Sequence, residues 1–240
     1  MGSYRGDLVT VCWRIGRKLG DPFDLNIEHF RFRDLHPNIF MGTASDRYSG
    51  WIGQIYSRER YADKIVTRSK RVGGKTFAEE VLPVASVEEY FRHFRVLELD
   101  FTFYRPLLDK DGKATQNLHV LSTYTQHLNK TDRLILKVPQ AVFAKKLWRK
   151  GRHIENEEYL NPDVFTRQFY EPALGLLAAW LDGLIFEQEY QRKQDRPSPK
   201  KLAGELDTFF SAIPTDTRYH IELRTEALLT DPVFEVFEKH

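Results

Sequence analysis

VLELDFTFYRPL, residues 96–107, is the stretch whose reading decides the fold. Side chains alternate sides along a strand, so Leu97, Leu99, Phe101 and Phe103 share one face while Glu98, Asp100, Thr102 and Tyr104 share the other. The first face is wholly apolar and the second is acidic and polar. The alternation predicts one strand over residues 96–104. Its polar row has three readings: a solvated surface, a buried ionic network, or the floor of a site.

The segments on either side repeat one pattern. Upstream, VASVEEYFRHF (residues 84–94) places Val87, Tyr90, Phe91 and Phe94 on one side of a helix, and NIFMGTA (residues 38–44) reads as a strand before a charged segment spanning residues 47–75. Downstream, a DKDG turn precedes helical spacing at Leu118, Leu121, Tyr124 and Leu128, and LILKVP (residues 134–139) is a strand stopped by its proline. A long basic loop leads to a helix over residues 163–183. LIFEQ (184–188) is a strand, residues 200–213 a helix, RYHIELR (218–224) a strand, and residues 231–240 a helix with Asp231 as cap and Pro232 at its first position. Strands alternating with longer helical segments predict an α/β fold with a parallel sheet covered by helices. Residues 1–37, which include the strand-like LVTVCWRI (8–15), read as an N-terminal extension to a domain over 38–240.

A chain of 240 residues, 41% hydrophobic and 13% aromatic, is long enough to bury a full core. The 36 basic and 34 acidic residues leave a net charge of +2, so there is no global polyanion-binding signature and any basic patch is local. Cys12 is the single cysteine, which excludes an intramolecular disulfide framework and a multi-cysteine metal site. Charges interrupt the first twenty residues, and no window reaches the roughly 18 consecutive apolar residues of a membrane span. The expectation is a cytoplasmic protein with no membrane partner.

FMGTAS with Tyr48, Trp51, Gly53 and Tyr56, then EYFRHFRVLELDFTFYR, LKVP, FYEPALGLLAAWLDGLIFEQ and RYHIELR, resembles in order the YecE-like proteins, the family of domain of unknown function 72. The resemblance covers about residues 38–240 and implies a TIM-type parallel β/α barrel without an established activity. Gly42 and Thr43 match the first-strand Gly-Thr, and Trp51 the aromatic after it. Glu98, Thr102, Phe103 and Tyr104 match the second-strand motif, with Asp100 where Asn is customary. Lys137 and Pro139 match the third, Gln188 the fourth, and Glu222 with Arg224 the fifth. Thr225 and Glu226 stand in place of the family's His-Pro, Glu189 and Tyr190 in place of a proline-bearing turn, and the histidine after the third-strand motif is missing. About five barrel strands are evident. The expectation is an incomplete barrel, its last strands missing, whose open edge is covered by the extension or a partner and would favour an oligomer.

Barrel interiors are normally filled by Val, Ile and Leu, so inward charges are unusual. With the apolar face of residues 96–104 against the helices, Glu98, Asp100 and Thr102 point inward, and the same alternation turns Lys137, His220, Glu222 and Arg224 inward. In the functional reading Glu98 or Glu222 acts as general acid or base, Lys137 and Arg224 hold an anion, and Thr43, Trp51, Asp100, Thr102, Tyr104 and Gln188 line the substrate. In the structural reading the charges pair one another and need no ligand. Lys137 as a Schiff-base nucleophile ranks below a salt bridge, because acidic neighbours raise its pKa. No cofactor is predicted; a divalent metal on Glu98, Asp100, Glu222 and His220 is the alternative, without HxxxH or HxH spacing to support it.

Basic residues cluster after three strands: Arg68, Lys70 and Arg71 within 58–75; Lys145, Lys146 and Arg149 after the third strand motif; Arg192 and Lys193 after the fourth. Loops after strands lie on the catalytic face of a β/α barrel, so these clusters would ring its mouth. The expected ligand is an anionic small molecule, with nucleic acid the alternative. Trp148 and Tyr56 near these clusters add aromatic surface that could stack a base or a sugar. The functional expectation is a hydrolase, lyase or isomerase acting on a phosphorylated or sugar-containing anion. Its alternative is a non-catalytic protein whose basic rim binds nucleic acid or a protein partner.

Overall fold

The computed structural model describes residues 31–149 and 151–240. Along them β1 (Gly42–Ala44) is followed by a helical turn, α1 (Arg58–Tyr61), and a hairpin of β2 (Val66–Val72) and β3 (Lys75–Val81). Helix α2 (Val87–His93) leads into β4 (Val96–Leu99), α3 (Phe101–Tyr104) and α4 (Gln116–Thr125). Next come β5 (Arg133–Lys137), α5 (Gln140–Phe143) and a second hairpin, β6 (Lys146–Arg149) with β7 (Arg152–Glu155). The remaining elements are α6 (Pro162–Phe165), α7 (Glu171–Leu177), β8 (Leu181–Glu187), α8 (Pro199–Ala212), β9 (Tyr219–Glu222) and α9 (Asp231–Lys239).

Five strands pair in parallel in the order β1-β4-β5-β8-β9, the α/β class and parallel sheet expected from the alternating pattern. Among the described residues the sheet stays open: β1 and β9 each pair on one side only. The expected incomplete barrel agrees with that open sheet. The register lines up Ala44, Glu98 and Ile135, then Lys137, Ile185 and His220, on one face. Between Leu134 and Ile135 the pairing with β8 skips Asp182, which keeps Gly183 on that same face beside Ile135 and the His220 ring.

The opposite face carries Leu97, Leu99, Leu134, Leu136, Leu184 and Phe186, none more than 1% exposed, and packs against the helices. Each such side chain contributes about 1.5–3 kcal/mol relative to exposure. Phe186 anchors the densest part, with Phe143, Phe165, Phe209, Phe210 and Tyr219 around it at ring-centroid distances of 5.2–5.9 Å. Arg33 reaches in from residues assigned on sequence to the extension, donating to the Phe91 carbonyl and pairing with Asp132 at 3.3 Å.

Several sequence expectations change. The strand expected over residues 96–104 ends at Leu99, and residues 101–104 turn into α3. The Thr102 hydroxyl explains the break: it meets both the Leu99 carbonyl (2.9 Å) and the Lys137 carbonyl (2.7 Å), satisfying strand-end acceptors that a continued ladder would have used. The helix expected over 163–183 is interrupted by a π-helical turn at Thr166–Tyr170, and its last residues belong to β8. Pro172 has no N–H to give the Gln168 carbonyl, which instead accepts from the Leu107 and Leu108 amides at 3.0 and 2.9 Å.

The charged segment before residue 75 and the basic loop after β5 both contain hairpins. In the first, Gly73 and Gly74 have φ of +57° and +82°, the left-handed pair that a two-residue turn matching strand twist requires. Ser198 caps α8 by accepting from the Lys201 amide at 3.3 Å. Thr230, not Asp231, is the capping position of α9, and Asp231 is already helical. The strand expected at residues 8–15 and Cys12 lie outside the described residues.

Gly42 is the tightest backbone approach in the sheet: a Cβ there would lie 2.1 Å from the Val96 carbonyl oxygen. Gly175, on the surface of α7, has open space around it. Gly42→Ala should therefore lower the urea unfolding free energy by about 2–3 kcal/mol, whereas Gly175→Ala should raise it by about 0.5–1 kcal/mol. Effects of the same sign at the two positions would contradict the packing at β1.

Candidate functional site

The C-terminal ends of four adjacent strands bring their polar residues together. Lys137, last in β5, places Nζ 2.7 Å from Glu187 Oε2, 3.1 Å from Asp100 Oδ1 and 3.3 Å from Glu98 Oε1. Arg224, just beyond β9, pairs with the other oxygen of Glu187 at 3.0 Å and with Glu222 at 2.8 Å. The ionic chain thus crosses β4, β5, β8 and β9 in sheet order. Glu187 and Lys137 are its buried centre, with side chains 8% and 13% exposed, while Glu98, Asp100, Glu222 and Arg224 reach solvent.

Burial pulls the Lys137 ammonium toward deprotonation, but the hydrogen bonds and charges of Glu187 and Asp100 outweigh it and hold the pKa above the ordinary lysine range. Three carboxylates within 3.3 Å favour the charged form of Lys137, the environment expected to place a Schiff-base role below a salt bridge. Nearby, burial and then the charges of Asp100, Asp46 and Glu98 raise the Tyr48 phenol. Tyr48 packs edge-on against Trp51 at 4.8 Å, and both line a cleft of about 650 Å³ with Arg47, Arg68 and Lys70.

Glu98, Asp100, Lys137, Glu222 and Arg224 were expected from sequence, and the structure brings them together. Glu187, which joins them, was missed. Its signal is the alternation in LIFEQ, where Glu187 shares the inward parity of Gly183 and Ile185; the family resemblance drew attention to Gln188 instead. Gln188 is 1% exposed, and its Oε1 has no partner among the described residues.

The other expected lining residues sit elsewhere. Thr102 is buried with its hydroxyl committed to two carbonyls, so it does not face the charges. Thr43 lies on the helix-facing side, its amide donating to the Tyr90 hydroxyl at 2.9 Å, and Tyr90 donates in turn to the Val96 carbonyl. Tyr104 points to solvent, 71% exposed, because α3 rotates it away from the strand direction. His220 borders Gly183 and forms no ion pair with the carboxylates. Among the described residues no three His, Cys, Asp or Glu side chains are grouped as a metal ion requires.

Most of the basic rim is internally paired. Arg68 and Lys70 both hold Glu79, Lys145 holds Glu205, and Lys146 and Arg192 share Asp195, all within 2.9 Å. Arg71, Arg149 and Lys193 are exposed and have no ion pair among the described residues. Sequence reasoning also passed over Asp46, 2% exposed directly after β1: Tyr124 donates to its carboxylate at 2.9 Å, and burial pushes its pKa up. No motif marks it, and only the tertiary packing of α4 reveals it.

These features define an open α/β sheet protein with an acid-rich polar cluster at the strand C-terminal ends. No family model and no curated protein matches the chain. Its solved structural neighbours are DUF72 family proteins. One, from Thermotoga maritima, is 15% identical with a TM-score of 0.49, over 83% of this chain and 61% of that one. Another, from Enterococcus faecalis, is 14% identical with a TM-score of 0.39, over 63% of this chain and 53% of that one. The chain spans less than two thirds of the length of either neighbour. No helix among the described residues is long and apolar enough to cross a membrane.

Replacing Lys137 with methionine leaves Glu98, Asp100 and Glu187 without their shared cation. Lys137→Met should cost about 2 kcal/mol at neutral pH, below the full penalty of a deeply buried pair because Glu98 and Asp100 are partly solvated. The sign with pH follows from the raised lysine: its contribution is complete below the ordinary lysine pKa and goes only as pH climbs through the folded value. Urea unfolding of both proteins between pH 6 and pH 9 measures this: a steady deficit is expected over that window, and no deficit, or one that disappears within it, would count against the network.

Proposed function

We propose that the polar cluster is an acid–base site for a hydroxyl-bearing, sugar-type substrate. One observation carries the reading: four carboxylates (Glu98, Asp100, Glu187, Glu222) share two cations (Lys137, Arg224), a formal excess of two negative charges. An excess of that sign repels a phosphate and favours donors, so it supports the sugar branch of the expectation over the phosphorylated one.

Glu98 is the proposed general base or acid, solvated enough to meet a substrate and placed 3.3 Å from a permanent ammonium. Lys137 stabilises negative charge developing on the substrate oxygen, and Glu187 with Arg224 fixes Lys137 in place. Asp100 and Glu222 accept substrate hydroxyls. The reaction class is hydrolysis, elimination or isomerisation, each of which needs a proton moved to or from such a group.

A panel of p-nitrophenyl glycosides set against p-nitrophenyl phosphate tests the reading. Turnover of a glycoside is expected, with Glu98→Gln lowering kcat by about 10²-fold or more while the melting temperature stays within a few degrees. Phosphate-ester turnover, or a collapse of stability in Glu98→Gln, would leave the cluster a structural network or a site for another class.

A further inference from the structure

A second cleft, of about 480 Å³, lies between the β6–β7 hairpin and the segment after β8, and it shares no lining residue with the Lys137 cluster. Its volume falls within the range of small-molecule sites. Glu189 forms part of its wall: Oε1 accepts from the Lys145 and Lys146 amides at 2.9 and 3.3 Å and from Gln191 Nε2 at 3.3 Å. Its other oxygen, Oε2, is buried and has no hydrogen-bond partner among the described residues. Gln191 is 5% exposed, and with its amide nitrogen given to Glu189 its Oε1 is a second buried acceptor without a partner. Two orphaned polar atoms on neighbouring side chains are costly unless a ligand or water satisfies them.

We propose that this cleft binds a neutral saccharide, whose hydroxyls satisfy Glu189 Oε2 and Gln191 Oε1 once these lining side chains turn their buried oxygens to the cleft. Three features select that class. Lys145, Lys146 and Arg192 are balanced by Glu155, Glu189 and Asp195, so the lining has no net charge to select an ion of either sign. Tyr190, 73% exposed, offers an aromatic face beside the polar pair, as the apolar face of a sugar ring requires. Finally, burial raises the Glu189 carboxyl above the usual range. A hydroxyl both donates and accepts, so it serves Oε2 whether or not that oxygen carries a proton, whereas an ammonium serves the carboxylate alone.

The inference rests on its own residues and holds whether or not the Lys137 cluster turns over a substrate. Isothermal titration of the full chain with maltose, cellobiose and N,N′-diacetylchitobiose, alongside inorganic phosphate and spermidine, tests it. Saturable binding of at least one disaccharide below about 10 mM is expected, weakened about tenfold or more by Tyr190→Ala and by Gln191→Leu. Tyr190→Ala keeps the test valid if Gln191→Leu fails to fold, because Tyr190 is exposed. The part of the binding that Tyr190→Ala and Gln191→Leu remove and Lys137→Met keeps belongs to the cleft, which separates it from any sugar taken by the proposed acid–base site. Failure of all three disaccharides, binding of phosphate or spermidine that the two cleft variants abolish, or disaccharide binding insensitive to both variants would overturn the proposal.

Discussion

A single ammonium, Lys137, is the constraint around which the polar half of this sheet is arranged. Its three carboxylate partners come from β4, the β4–α3 junction and β8, and Glu187 passes the chain of charge on to Arg224 beyond β9. Four of the five strands are therefore tied at the same end and on the same face. Such pairs, partly solvated, contribute little net stability; most of the favourable energy comes from the apolar face behind them. What the network supplies is position, because moving one strand end would break an ion pair of 2.7–3.3 Å to its neighbour.

The same strands carry the opposite chemistry on their other face, and the two depend on each other. Alternation that buries Leu97, Leu99, Leu134, Leu136, Leu184 and Phe186 under the helices necessarily turns Glu98, Lys137 and Glu187 the other way. Where the strands stop, carbonyls are left over, and side chains or neighbouring loops take them. Thr102 does so for Leu99 and Lys137, and the Leu107–Leu108 amides do so for Gln168 in the π-helical turn. The Thr102 contact also ties α3 to the end of β5, which keeps Asp100 within reach of Lys137.

The parallel sheet and the inward charges Glu98, Lys137 and Glu222 were legible in the sequence because period-two alternation survives in short parallel strands with one polar edge. The features that were not legible are those decided by a single tertiary hydrogen bond or by turn chemistry. FTFY continues the alternation of VLEL, yet Thr102 bonding across to β5 turns it into a helix and removes Thr102 and Tyr104 from the expected site. Gly73-Gly74 is a strong hairpin signal, but it lies inside a charged segment that reads as one of the basic clusters rather than as a pair of strands. Glu187 follows from the parity of LIFEQ alone, whereas Asp46 has no local signature at all, being defined by Tyr124 seventy-eight positions away.

The basic rim shows how a count of charges in sequence differs from a field in space. Both hairpins follow sheet strands, β1 and β5, and so rise from the same end of the sheet as the Lys137 cluster. The acids that oppose their basic residues come from the facing strand or the adjoining segment: Glu79 from β3, Glu155 from β7, Asp195 from the stretch after β8. Five of the eight rim residues singled out from sequence (Arg68, Lys70, Lys145, Lys146, Arg192) are thereby paired at contact distance with Glu79, Glu205 and Asp195, which cancel part of their charge. Partly cancelled charges steer a polyanion less than a count in sequence suggests, because each acid opposes the field of its cation and salt screens the remainder. At the second cleft the proposed recognition rests instead on directed hydrogen bonds and aromatic surface, the chemistry that Glu189, Gln191 and Tyr190 offer.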